Sequence, residues 1–119
     1  MIKAHLINGV QAAELVSEDL LLADTGSGSQ LLADLYYQNF DIMIFHEKNI
    51  HPDFFELRSG MAGEILQKAS NSRLRLAFVG NFEAYNSKSL RDFIRESNGH
   101  GQILFVSSVE EAIRRFEEK

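Results

Sequence analysis

The chain has no cysteine, no tryptophan and a single proline among its 119 residues. Without cysteine it can form no disulfide, thiolate nucleophile, iron–sulfur cluster or cysteine-based zinc site. It also has no run of about 20 apolar residues, the length that a membrane-spanning helix requires. Its first residues, Met1 to His5, lack the apolar core of a signal peptide. We therefore expect a cytoplasmic protein that does not bind a membrane.

Positive charge is also scarce. The chain has 12 lysines and arginines against 17 aspartates and glutamates, a net charge of −5, and its basic residues form no long cluster. Binding to a phosphate backbone needs the opposite balance, so we expect no nucleic-acid partner. The hydrophobic fraction of 45% and the charged fraction of 24% are typical of a globular protein. This length predicts one domain, residues 1–119.

The first half of the chain begins with a hairpin signal. Ile2–Ile7 and Val10–Val16 are strand-like runs joined by Asn8-Gly9, a pair that tolerates the positive φ angles of a type I′ turn. Apolar spacing predicts a first helix from about Ser29 to Gln38, preceded by a flexible Gly/Ser loop at residues 25–29. The almost wholly apolar run Asp41–His46 is typical of a central strand covered on both faces.

The second half alternates helices and strands. Pro52 suits the first turn of a short helix, Ser87 or Ser89 can cap a later one, and Ser108 with Glu111 forms a capping box. The predicted elements are a short helix at 53–57, a helix at 61–69, a strand at 73–80, a helix ended by Asn98-Gly99, a strand at 102–107, and a last helix with an apolar stripe of Val109, Ala112, Ile113 and Phe116.

The resulting order is β-β-α-β-α-β-α-β-α. A hairpin followed by alternating helices and strands predicts an α/β fold with a mixed, mostly parallel sheet and helices packed on it.

This order resembles the STAS domain, the sulfate transporter and anti-sigma factor antagonist family. In its anti-sigma antagonists the third strand leads to a helix that opens with Asp-Ser-Ser-Gly, and an apolar-Ser-x-Glu-Glu-Ala segment follows the last strand. The corresponding stretches here are Arg58-Ser59-Gly60-Met61 and Phe105 to Ala112. The resemblance implies a STAS-like fold. It also implies a protein partner of the regulatory kinase or anti-sigma type, which would phosphorylate Ser59.

The chain departs from the STAS motif just before that serine. Leu57 and Arg58 stand where the motif has Asp and its first Ser, and the segment His51–Glu56 lengthens the approach to the helix. Arg58 could pair with a phosphate or another anion. We therefore treat Ser59, Arg58 and Gly60 as the candidate phosphoacceptor or anion-binding residues, with helix capping as the competing role of Ser59.

A second resemblance is closer in sequence. Residues 62–68, 76–82 and 89–98 are similar to a small bacterial domain-of-unknown-function family, family 4180. That membership implies no activity. The two resemblances together lead us to expect a STAS-like regulatory or protein-interaction module that uses no cofactor.

The alternative is a small-molecule-binding protein or small enzyme with a pocket near Ser59, His46 and Arg58. No nucleophile stands at a recognisable spacing from a base, so we assign no catalytic residue and favour a non-enzymatic function. His46, His51 and Asp53 are the nearest approach to a metal motif. Solvated loop residues explain them more simply, so we predict no metal site.

Phe54 and Phe55 are adjacent aromatic residues in a short helix. Two such side chains are not expected to enter one core, so one of them is expected to cover a groove or a partner, which includes the option of a homo-oligomer. Local burial under the preceding loop is the alternative of equal weight. For Gly60 and Gly63 we expect a close approach of helix to sheet.

Overall fold

The computed structural model describes residues 1–118 and confirms a mixed α/β architecture. Over that part of the chain it has five strands and four α-helices: β1 Ile2–Ile7, β2 Val10–Leu15, α1 Thr25–Tyr37, β3 Ile42–His46, α2 Met61–Asn71, β4 Arg75–Val79, α3 Lys88–His100, β5 Ile103–Val106 and α4 Val109–Glu117. Short 3₁₀ turns lie at 47–49, 52–55, 57–59 and 82–84.

The five strands form one sheet in the order β1-β2-β3-β4-β5. The hairpin pair β1–β2 is antiparallel, and every later pair is parallel. The predicted turn at Asn8-Gly9 is confirmed, because the two residues have φ angles of 50° and 81°. The carboxyl ends of β2, β3, β4 and β5 therefore lie along the same edge of the sheet.

The two faces of the sheet are covered unequally. On the three-helix face, α1, α2 and α3 pack against Met43, Phe45, Leu76, Phe78 and Phe105. On the one-helix face, α4 is the single helix of residues 1–118 that packs, with Ala112 and Phe116 lying against Ile42, Ile44, Ala77, Leu104 and Val106. Strand residues alternate between the two faces, which is why both clusters draw on the same strands.

Helix α4 crosses its face diagonally. It starts directly after β5 and ends beside the hairpin turn, where the Asn8 side chain donates a hydrogen bond to the Glu117 carbonyl oxygen at 3.0 Å. The turn lies at the opposite edge of the sheet from the carboxyl ends of β2 and β3. The carboxyl end of β2 and β3 on the one-helix face is therefore left without a helix.

Helix α1 begins at Thr25, four residues earlier than predicted, so the prediction of a flexible Gly/Ser loop is wrong. Asp24 caps the helix by accepting a hydrogen bond from the Ser27 N–H at 2.7 Å. Gly28 lies inside the helix. Its lack of a side chain is needed because a Cβ atom there would stand 2.8 Å from the Ile65 side chain on α2. Glycine thus serves close helix packing here rather than chain flexibility.

Two other predicted helix ends also differ. Ser87 caps α3 as predicted, but the helix runs through Asn98-Gly99 to His100, and Gly101 with φ 83° ends it. The Ser108 hydroxyl accepts the Glu111 N–H at 3.0 Å, as a capping box requires. The Glu111 carboxylate, however, accepts its hydrogen bonds from the N–H and hydroxyl of Ser107 instead of the Ser108 N–H.

Candidate functional site

Ser59 lies exposed at the start of α2. Its hydroxyl donates a hydrogen bond to the Asp53 carbonyl oxygen at 2.6 Å and accepts one from the Met61 N–H at 3.2 Å. The second bond satisfies one of the N–H groups that every helix start leaves free. The first ties the 3₁₀ turn at 52–55 to the helix. Ser59 therefore has a structural role in this conformation, which is one of the two roles considered from the sequence.

The residues on either side of Ser59 are open to solvent. The Arg58 side chain is 95% exposed, and its nearest charged partner is Glu56, with Nε 3.7 Å from the carboxylate. Gly60 adopts the left-handed conformation with φ 82°. A Cβ atom at Gly60 or Gly63 would meet no atom within 4 Å, so the expected close approach of helix to sheet at these glycines is wrong.

Phe54 and Phe55 are both buried, with exposed fractions of 1% and 6%. Phe54 packs against Phe78 with ring centroids 5.0 Å apart, and Phe55 packs beside Tyr85 at 5.1 Å. The premise that one of the pair must stay at the surface is wrong. The 3₁₀ turn at 52–55 places both rings in the core. A partner surface built on this pair would require the rings to leave the core.

The aromatic packing reaches the sheet edge through Tyr85. Its hydroxyl donates a hydrogen bond to Glu47 at 2.6 Å, and the other oxygen of the same carboxylate accepts the Asn81 N–H at 3.0 Å. Burial, and then the bond to Glu47, raise the pKa of the Tyr85 phenol above its ordinary value of 10.0. Gly80 is required here, because a Cβ atom would stand 2.6 Å from the Glu47 Cβ.

His46 lies on the other face of the sheet from α2. Its Nε2 is 2.8 Å from one oxygen of Glu14, and Nε2 of His5 is 2.9 Å from the other oxygen. Glu14 is only 8% exposed. We call these three residues the Glu14 cluster. It occupies the carboxyl end of β2 and β3 on the one-helix face, where α4 does not reach.

Two opposing effects set the charge of the Glu14 carboxyl. Burial raises its pKa, but the hydrogen bonds and charges of His46 and His5 outweigh burial, so the pKa lies below its ordinary value of 4.5. From the sequence, His46 was grouped with other residues, and Glu14 was missed. The one signal available was an acidic residue inside a mostly apolar strand, Val10–Leu15.

His51 and Asp53 interact with each other rather than with His46. The Asp53 N–H donates to His51 Nδ1 at 3.0 Å, and the same nitrogen is 3.8 Å from the Asp53 carboxylate. Across residues 1–118, no group of three or more histidine, aspartate or glutamate side chains is arranged to hold a metal ion. Of the three residues grouped from the sequence, the structure brings His51 and Asp53 together and places His46 against Glu14 instead.

A cleft of about 670 Å³ opens at the carboxyl ends of β4 and β5. Its floor and walls come from both loops and both flanking helices: Gly80, Asn81, Phe82, Glu83, Ile94, Asn98, Phe105, Val106, Ser107, Glu111 and Arg115. We call it the switch-point cleft. This cleft was not predicted from the sequence, since its lining combines residues from four separate segments.

The charged groups of this cleft are held in place by hydrogen bonds. Glu111 accepts from the Ser107 N–H and hydroxyl, both at 3.1 Å, and the Ser107 N–H bond is the main reason that its pKa lies below the ordinary value. Arg115 donates to the Asn98 carbonyl oxygen at 3.2 Å, and its second terminal nitrogen is 3.8 Å from Glu111. The carboxylate and the guanidinium are therefore neighbours facing one cavity.

These features define a small α/β protein with a half-open sheet and a cleft between two divergent helices. The chain belongs to the family described as Domain of unknown function (DUF4180), whose model matches residues 7–116. This confirms the closer of the two resemblances. No curated protein and no solved structure matches the chain. The STAS resemblance and a bacterial origin stay predictions.

No helix within residues 1–118 combines the length and the apolar character that crossing a membrane requires.

Proposed function

We propose that the chain is a STAS-like regulatory and protein-interaction module that is switched at Ser59 by phosphorylation or by anion binding. The observation that carries the proposal is the exposed Ser59 hydroxyl at the start of α2, beside the exposed Arg58. A helix start favours negative charge, because its free N–H groups and dipole point outward.

The hydrogen bonds of Ser59 supply a mechanism for the switch. A phosphorylated oxygen carries no proton, so it can no longer donate to the Asp53 carbonyl oxygen, whereas it can still accept the Met61 N–H. Modification would therefore remove the hydrogen bond that ties the 3₁₀ turn at 52–55 to the start of α2, while Phe54 and Phe55 stay packed in the core. It would also add about −1.5 to −2 charges next to Arg58, which would draw that side chain away from Glu56.

The alternative of a pocket shared by Ser59, His46 and Arg58 has less support. His46 binds Glu14 on the one-helix face, and α2, which follows Ser59, packs on the three-helix face. A small-molecule site is better supported at the switch-point cleft.

The switch is tested with four immobilised baits: the unmodified chain, Ser59→Ala, Ser59→Asp and the control Ser70→Asp. Ser70 is also exposed on α2 but lies near its other end. Proteins captured from the native cell are identified, and the phosphorylation of Ser59 is mapped in the endogenous protein. We expect Ser59→Asp to change capture of a partner that Ser70→Asp still binds normally. If Ser59→Asp and Ser59→Ala both bind every captured partner like the unmodified chain, the switch does not exist.

A further inference from the structure

The switch-point cleft lies where the chain changes sides of the sheet. After β4 the chain turns to α3 on the three-helix face, and after β5 it turns to α4 on the one-helix face. The two loops diverge, so a crevice forms between neighbouring strand ends. In open α/β sheets, ligands bind in such a crevice at the carboxyl ends of the strands. This inference goes beyond the proposed function and does not depend on Ser59.

The size and the walls of the cleft fit a small molecule with an apolar part. Its volume of about 670 Å³ lies within the range of roughly 300–1,000 Å³ that ligand pockets occupy. Phe82, Ile94, Phe105 and Val106 supply the apolar part of its lining. Phe82 and Phe105 pack edge to face with centroids 5.3 Å apart, which gives the site a rigid aromatic wall.

Three charged residues line the cleft, Glu83, Glu111 and Arg115, and the last two face each other. The oxygen of Glu111 nearest Arg115, and the arginine nitrogen facing it, are 3.8 Å apart and make no hydrogen bond to another group of residues 1–118. Both atoms can thus still bind a ligand. The second carboxylate oxygen of Glu111 is hydrogen-bonded to Ser107, and the second terminal nitrogen of Arg115 is hydrogen-bonded to the Asn98 carbonyl oxygen. Both side chains are therefore preorganised for ligand binding.

This pairing argues against two ligand classes, phosphate dianions and simple amines. A phosphate dianion would meet Arg115 but also the carboxylates of Glu83 and Glu111. A simple amine would meet the carboxylates but also the guanidinium. A molecule whose own opposite charges lie close together satisfies both sides, and an α-amino acid carries its ammonium and carboxylate on one carbon.

We propose that the switch-point cleft binds a small zwitterion of the α-amino-acid type. The ligand carboxylate lies on Arg115, the ammonium lies on Glu111, and an apolar side chain lies against Phe82, Ile94 and Phe105. Arg115 is suited to this role because its planar fork of N–H groups matches a carboxylate.

The test is calorimetric titration of the full chain with the standard amino acids and two half-charged probes. Phenylpropionate lacks the ammonium of phenylalanine, and phenethylamine lacks its carboxylate. We expect an apolar amino acid to bind saturably and both half-charged probes to bind about tenfold more weakly or worse, since each loses a charged hydrogen-bond partner. These comparisons need no variant. Equal binding of phenylpropionate, or no saturable amino acid at millimolar concentration, would overturn the proposal.

Two pairs of variants then test the named groups. Arg115→Gln and Glu111→Gln alter the cleft, and Gln at position 111 keeps an oxygen to accept from Ser107. Their controls are Arg114→Gln and Glu110→Gln, neighbours on α4 that do not line the cavity. We expect about a tenfold loss of amino-acid affinity in Arg115→Gln and Glu111→Gln. The two controls should keep both the affinity and the unfolding temperature of the unmodified chain. An equal loss in the controls would show that the cleft residues are not the binding groups.

Discussion

The two faces of the sheet differ in what their covering permits. On the three-helix face, buried aromatic rings pack in an unbroken series from Phe54 through Phe78 to Phe105. On the one-helix face, α4 leaves one end of β2 and β3 open, and a carboxylate between two histidines occupies that end. Where helices cover the sheet completely, the buried side chains are apolar. Where the cover is incomplete, ionisable side chains are tolerated because they form hydrogen bonds with one another. The switch-point cleft forms where the chain passes from one covering to the other.

The largest effect should come from the aromatic core. Phe78 and Val79 are neighbours on β4 whose side chains point to opposite faces. We expect Phe78→Ala to lower the free energy of unfolding by about 3–5 kcal/mol, because it opens a cavity among Phe45, Phe54 and Phe105. Val79→Ala should cost only about 1–2 kcal/mol for its two lost methyl groups. Urea unfolding of both variants measures this, and equal costs would contradict the contrast between the faces.

The Glu14 cluster should contribute less, and in a pH-dependent way. We expect Glu14→Gln to cost about 1–3 kcal/mol at neutral pH, because the buried amide can accept only one of the two histidine hydrogen bonds. The pKa of Glu14 is lower in the folded state than in the unfolded state. Its contribution is therefore present above the ordinary value of 4.5 and is lost as the pH falls through the folded-state pKa.

Unfolding of the unmodified chain and Glu14→Gln across the acid range measures this contribution. The two proteins should converge in stability as the pH falls. A constant difference at every pH would mean that packing, and not the carboxylate charge, stabilises this end of the sheet.

The smallest effects should come from two exposed glycines at the start of α2. Gly60→Ala should destabilise the fold by about 1–2 kcal/mol, because φ 82° is unfavourable for a residue with a Cβ atom. Gly63→Ala should stabilise it by roughly 0.5–1 kcal/mol, since alanine favours the helix and meets nothing within 4 Å. Thermal unfolding distinguishes the two. A destabilised Gly63→Ala would show that this helix start packs against something.

The sequence predicted those features that depend on neighbouring residues. The hairpin followed from Asn8-Gly9, the cap of α3 from Ser87, and the buried stripe of α4 from its apolar spacing. The start of α1 was missed because the reason for Gly28 lies on another helix, in the contact with Ile65. The burial of Phe54 and Phe55 was missed because their partners are far along the chain.

The candidate sites show the same limit. Ser59 could be singled out because its motif is contiguous. Its bond to the Asp53 carbonyl oxygen could not, since it depends on how the intervening turn folds. The Glu14 cluster spans His5 to His46, and the switch-point cleft spans residues 80–115. Both sites arise because α4 packs on one face of the sheet and the other helices pack on the opposite face. The order of strands and helices along the chain does not specify on which face each helix packs.

The most direct test of this account is a titration of the isotope-labelled chain with phenylalanine, followed by amide chemical shifts. The account predicts saturable shifts at Gly80, Phe82 and Ser107, where the chain divides between the two faces, with Ser59 and Gly63 unaffected. Shifts centred on Ser59 and Arg58, or no saturable shift with any standard amino acid, would contradict the claim that the change of face forms the binding site.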